Sequence, residues 1–222
     1  MKRGFIGKAV IVSLLALHFS PPSWALDITG SCHVTFLGTS TLHDFTGTVR
    51  SLPFHVHVID GGPGGKIIPA VTVDVPVDEI VTGEKKRDRQ MREMFDSKTF
   101  PFIRGTVTNI DPDGLRGMMQ KDENGEAPVA LTLRIRDIEL SLPATFSAFR
   151  EYGEQISFEV RFFVSLPEYA LKPPSLLFGL IQVGDRVDVT VTFDLEVKPD
   201  ELFTTNKTFQ EGQSDAGVAA PH

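Results

Sequence analysis

A single cysteine, one tryptophan and two tyrosines are spread over 222 residues. The lone Cys32 excludes a disulfide framework within the chain and any cysteine-based metal cluster. Basic residues are outnumbered 22 to 29, a formal net charge of -7. That deficit argues against a phosphate-backbone binder, whose footprint is basic. Motifs of nucleophilic and phosphate chemistry are missing too. There is no Gly-x-Ser-x-Gly, and the glycine-rich stretch 61–65 lacks a following Lys-Ser/Thr. Cys32 and His33, as neighbours along a strand, point to opposite faces. What the chain has in excess is phenylalanine, 17 residues, which supply large apolar surface without a polar handle. With 41% hydrophobic and 23% charged residues, the remainder is the mixture of an ordinary soluble globular protein of one domain.

The N-terminus is expected to be an address. Met1-Lys2-Arg3 and Lys8 precede an apolar run from Ala9 to Phe19, and Pro21-Pro22 break it. Ser23-Trp24-Ala25 place small residues at the -3 and -1 positions of a cleavage site, as in a secretory signal peptide cut after Ala25. The run is about half the ~20 residues a spanning helix needs, and no later stretch reaches that length, so no stable membrane span is expected. This reading divides the chain into a signal peptide (1–25), one domain (26–198) and a tail (199–222), and it locates the mature protein in the periplasm. Removing the segment takes away three basic residues and no acid, so the net charge becomes -10. Cys32 then reads as a buried free thiol.

The mature chain reads as all-β. Val71, Val73, Val75 and Val77 alternate with polar residues, with Pro76 pointing to a place near a sheet edge. Phe54, Val56 and Val58 alternate with His55 and His57. Val129 to Ile135 and Ile138 to Leu142 alternate in opposite parity, which requires a tight turn or bulge at Arg136-Asp137. Ile156 to Phe162 and Val187 to Leu195 complete the series. Turn signals lie between them at 60–65, at Asp111-Pro112-Asp113-Gly114, at Glu123-Asn124-Gly125 and at Tyr152-Gly153. Strands separated by turns indicate an antiparallel sandwich or barrel. Gly83 to Lys98 is the exception, a single short helical insertion with Met91, Met94 and Phe95 on one face. It is expected to plug an end of the barrel or lie across it. From about Lys198 the polar composition predicts disorder.

The order of these motifs resembles the YceI-like family. Ser40-Thr41-Leu42-His43-Asp44-Phe45-Thr46-Gly47 is similar to its opening strand motif, and Val71 to Val81 followed by Thr82-Gly83 to its valine-rich strand. Lys86-Arg87-Asp88, Met91-Arg92, Phe95-Asp96 and Phe100-Pro101 resemble its helix and the exit from it. Leu131-Thr132-Leu133-Arg134 and Val183-Gly184-Asp185-Arg186-Val187 resemble its later strands. The likeness runs over roughly residues 30 to 197. The chain departs from the pattern at Ile135 to Glu139, which lack the family's glycine and lysine-proline turn, and at Ser165 to Tyr169, where an arginine-containing motif is reduced. The resemblance implies an extended, lipocalin-like antiparallel barrel of about eight strands. In the family that barrel encloses an apolar tunnel for a polyisoprenoid or similar lipid, and its members are often dimers, so a homodimer is an expectation for this chain.

The residues themselves agree with an apolar cavity. A closed barrel of about eight strands leaves room for one ligand, and each buried methylene contributes ~0.8 kcal/mol. The expected wall is drawn from Phe36, Phe45, Phe54, Val73, Val75, Met91, Met94, Phe95, Phe102, Phe146, Phe158 and Phe162, with His43, Arg87 and Asp88 as polar groups at the mouth. The apolar run Leu176 to Ile181 is expected to fold over one end or form a partner surface. The leading expectation is a non-enzymatic carrier of a long apolar lipid such as a polyisoprenoid, prenyl quinone or fatty amide, with no cofactor, metal or nucleic acid. An interaction barrel filled by its own side chains is the alternative. A metal-dependent enzyme ranks last. It would use His55 and His57, which share a strand face, with His33 or His43 as a third ligand; alternation instead puts the 55/57 pair on the wet face.

Overall fold

A computed structural model describes residues 26–41, 43–62, 65–173, 183–197 and 199–203. Residues 1–25, expected to be a signal peptide, and the run Leu176 to Ile181 lie outside the described residues, as do those beyond 203. Among the described residues, nine strands follow one another: β1 (Leu26–Ser40), β2 (Phe45–Arg50), β3 (Phe54–Asp60), β4 (Lys66–Pro76), β5 (Phe102–Ile110), β6 (Ala127–Ile135), β7 (Ile138–Tyr152), β8 (Gln155–Ser165) and β9 (Val183–Glu196). Helix α1 (Lys85–Phe95) precedes β5, α2 (Pro112–Lys121) joins β5 to β6, and α3 (Pro199–Leu202) follows β9. Among the described residues, no helix is long and apolar enough to cross a membrane.

All strand pairings are antiparallel, and β9 returns to pair with β1. The long β1 takes β3 alongside its first part (Ile28 opposite Val56) and β2 alongside its later part (Phe36 opposite Gly47). β2 and β3 therefore share one stave, and nine strands close a barrel of eight positions. β3 meets β4 through only two pairs, Ile59–Ile67 and Asp60–Lys66. The gap beyond is tied by the Leu52 N–H donating to the Asp74 carbonyl at 2.9 Å and by the Thr48–Val81 bridge. Beyond Ile67, β4 has ladder partners on β5 alone, in keeping with the near-edge place expected from Pro76. That proline is the last residue of the strand, where the chain turns into a 3-10 turn at Val77–Glu79, so its missing N–H costs the sheet nothing.

Alternation along the strands sets the barrel's two faces. In β3, Phe54, Val56 and Val58 are buried and His55 and His57 exposed. The reversal of parity between β6 and β7 is a two-residue hairpin, Ile135 opposite Ile138, with Arg136 at φ 57°. β7 and β8 slip register between Ser147 and Arg150, with Ala148 in the left-handed region. This bulge turns both Phe146 and Phe149, three residues apart, toward the interior.

Two elements differ from the sequence reading. Asp111-Pro112-Asp113-Gly114 opens α2 and is not a simple turn. An Asp cap, whose carboxylate accepts from the Gly114 N–H at 3.0 Å, followed by proline in the first helical turn is equally a helix start. The barrel thus carries a second helical insertion as well as α1. The tail is not wholly irregular either: residues 199–202 form α3, and Leu202 and Phe203 are buried against the barrel. Their apolar side chains outweigh the polar average of the segment.

Candidate functional site

Many inward-facing apolar residues are only half-buried, among them Val34, Val75, Ile103, Val107, Phe162, Val187 and Phe193. They face open space inside the barrel. Among the described residues, two cavities occupy that space. The larger, about 210 Å³, lies under α1 and is lined by Phe36, Phe45, Val73, Val75, Met91, Met94, Phe95 and Phe162, with Arg87. The smaller, about 120 Å³, is lined by Phe54, Phe146 and Phe158 and is covered by Leu115, Arg116 and Met119 of α2 and by Leu202 and Phe203.

The two cavities share Val71, Val107, Val160 and Phe193 in their walls. These come from β4, β5, β8 and β9, so the cavities lie end to end, with these four side chains forming the boundary, or waist, between them. Along β8 the inward residues 156 and 158 face the smaller chamber, 160 both, and 162 and 164 the larger. Six phenylalanines form a continuous chain around the smaller chamber: Phe54 edge-on to Phe193 (5.9 Å), Phe193 stacked on Phe158 (4.8 Å), Phe158 on Phe146 (4.6 Å), then Phe149 (6.3 Å) and Phe203 (5.6 Å). Such pairs add specific geometry to the area they bury.

Local sequence explains how the walls are held. Phe36 lies over Gly47 and Phe45 over Gly38, each directly opposite its glycine across the β1–β2 pair, and a Cβ on either glycine would overlap the ring. Leu166 and Tyr169, in the 3-10 turn after β8, are buried, and the Tyr169 hydroxyl donates to the Leu133 carbonyl at 3.2 Å. Burial pushes the Tyr169 phenol up to about 12. Cys32 faces the larger chamber, and burial raises its pKa, which keeps the thiol protonated and unreactive.

Three of the expected site residues sit elsewhere. Phe102 is 41% exposed, because Ile103, Gly105 and Val107 take the inward parity of β5. His43 is exposed and lines neither cavity; its N–H donates to the Ser40 hydroxyl. Asp88 turns back to the start of its own helix, where its Oδ1 accepts from the Thr82 N–H at 2.9 Å and from the Thr82 hydroxyl at 2.6 Å. It fixes α1 in place and lines neither chamber. Arg87 does line the larger chamber, its guanidinium 4.4 Å from the Phe45 ring centroid. Sequence reading missed the wall supplied by α2 and Phe203. The only signal there was Leu115 and Met119 at i and i+4 behind an Asp-Pro start.

His55 and His57 point outward, their side chains 60% and 65% exposed, each about 3.5 Å from Asp27 Oδ1. His33 and His43 do not join them: no group of three or more His, Cys, Asp or Glu among the described residues is arranged to hold a metal ion.

Residues 24–196 match the model of the YceI-like domain. No curated protein matches the chain. Among solved structures, a polyisoprenoid binding domain from Saccharophagus degradans implicated in plant cell wall breakdown is similar over 76% of this chain and 98% of its own, with TM-score 0.53 and 14% identity. BcnA of Burkholderia cenocepacia is similar over 73% of this chain and 95% of its own, with TM-score 0.54 and 15% identity. At that identity the likeness is one of fold.

Proposed function

The chain belongs to the YceI-like domain family, and from that premise we propose that it is a non-enzymatic carrier holding one long apolar lipid, of polyisoprenoid, prenyl quinone or fatty amide type, inside the barrel. The observation that carries this reading is the pair of end-to-end apolar chambers, 210 and 120 Å³, each lined by a single ionised side chain among the described residues. Binding pockets of this kind are mainly apolar with few polar groups. A chain of methylenes entering them gains ~0.8 kcal/mol for each one buried, so affinity needs no reacting group. The domain in the S. degradans protein is described as polyisoprenoid binding, which supports the same class here. The signal-like segment 1–25 supports delivery to the periplasm, and a homodimer is carried only by the family resemblance.

The experiment is extraction of the protein, purified from its own host, with organic solvent, followed by mass spectrometry. A stoichiometric long-chain lipid is expected. Protein that yields none, and after extraction takes up neither prenyl quinones nor fatty amides, overturns the carrier reading in favour of a self-filled interaction barrel.

A further inference from the structure

The smaller chamber is closed by elements that do not belong to the sheet. Its strand walls end at Ile156 of β8 and Leu195 of β9, which are paired. The chain leaves β9 one residue later, at Glu196, and β5 ends at Ile110, so the last described segment and α2 come off the same rim of the barrel. Among the described residues, every part of the lining that is not strand comes from α2 or from Leu202 and Phe203. The two caps are held differently. α2 presents Met119, an unbranched side chain that yields to a neighbour. Phe203 is 6% exposed and is tied from three sides. The Lys66 ammonium, at the start of β4, donates to the Phe203 carbonyl at 3.3 Å and to the Glu201 carbonyl. The Arg116 guanidinium lies 4.5 Å from the ring and is itself fixed by Glu151, 2.8 Å from its Nη2. Phe149 meets the ring edge-on at 5.6 Å. Phe203 is thus the last ring of the aromatic chain and a firmly seated one. The family match ends at residue 196, so this cap comes from the chain's own C-terminal segment.

We infer that Phe203 is the stop that sets the longest chain the barrel accepts: the part of a ligand that enters the smaller chamber ends against its ring. The inference rests on the carrier reading above and adds the residue that decides chain length. It holds whichever end of the ligand lies there. Each methylene raises affinity by about fourfold only while apolar room remains for it. A chain longer than the space before the ring must leave methylenes in water or displace a side chain tied by Lys66, Arg116 and Phe149. Further length then gains nothing.

The test is displacement of Nile red from lipid-extracted, purified protein by primary alcohols of increasing length, in wild type and in two variants. Wild-type affinity should rise by about fourfold per methylene and then level off. Phe203→Ala removes the ring and opens space for roughly four more methylenes. Its affinity for short alcohols should stay close to wild type, while levelling moves to alcohols longer by that number. Phe203→Leu, a milder truncation, should move it by roughly half as much, and it decides the matter if the Ala variant does not fold. Levelling that moves to longer alcohols in neither variant, or affinity lowered evenly at every length, overturns Phe203 as the stop and leaves the carrier reading standing. So does a wild-type affinity that still rises at the longest alcohol. Wild-type protein that binds no alcohol of any length overturns the carrier reading, and this inference with it.

Discussion

Tyr169 is a fully buried residue holding a proton that water would release more readily. Its folded-state pKa, pushed up to about 12 by burial, lies above the ~10 of an unfolded chain. The folded state therefore binds the proton more tightly between those two values. The stabilisation linked to it is complete below about pH 10, and is lost as pH rises through about 12. Tyr169→Phe removes both that dependence and the bond to the Leu133 carbonyl. The variant should be about 1 kcal/mol less stable than wild type at pH 8, with the gap narrowing toward pH 12. Thermal melts across that range check it; curves that stay parallel would refute the assignment. At the same scale, Phe36 and Phe45 owe their places to the glycines opposite them, a pairing visible only once the register of β1 and β2 is known.

Among the elements, those with clean alternation were legible in the sequence. β3, β4, β6, β7, β8 and β9 each carry runs of Val, Ile, Leu or Phe at period two, and a half-buried strand requires that pattern. α1 announced itself through Met91, Met94 and Phe95. β5 does not, because Arg104-Gly105-Thr106 and Asn109 interrupt its apolar parity, and the outward position of Phe102 is therefore not legible. β1 was hidden by Gly30, Cys32 and His33. The start of α2 carries residues that serve a turn and a helix cap equally well, and only packing of Leu115 and Met119 on the barrel decides between them. The waist, made of single residues from four strands, has no linear signature. Val107 there is half-buried and faces the open space. Val107→Phe should block passage between the chambers, at a cost to stability of about 1–3 kcal/mol. Binding of short lipids should persist, while the gain from chain atoms beyond the larger chamber disappears. Isothermal titration with a short and a long alcohol measures this, and an unchanged advantage for the long one would mean the tail does not cross the waist.

For the whole molecule, the resemblance and the alternation already led to one barrel with an apolar interior, and the 17 phenylalanines to its character. The division of that interior into two chambers, one capped by α2 and Phe203, could not be read because it depends on closure of β9 onto β1 and on a bulge at Ala148. The central claim is that these two adjoining apolar chambers bind a chain by burying it. Titrating lipid-extracted protein with primary alcohols of increasing length tests that claim most directly. The account predicts that binding free energy improves by ~0.8 kcal/mol for each added methylene until both chambers are filled, then levels off. An affinity that does not change with chain length would contradict it.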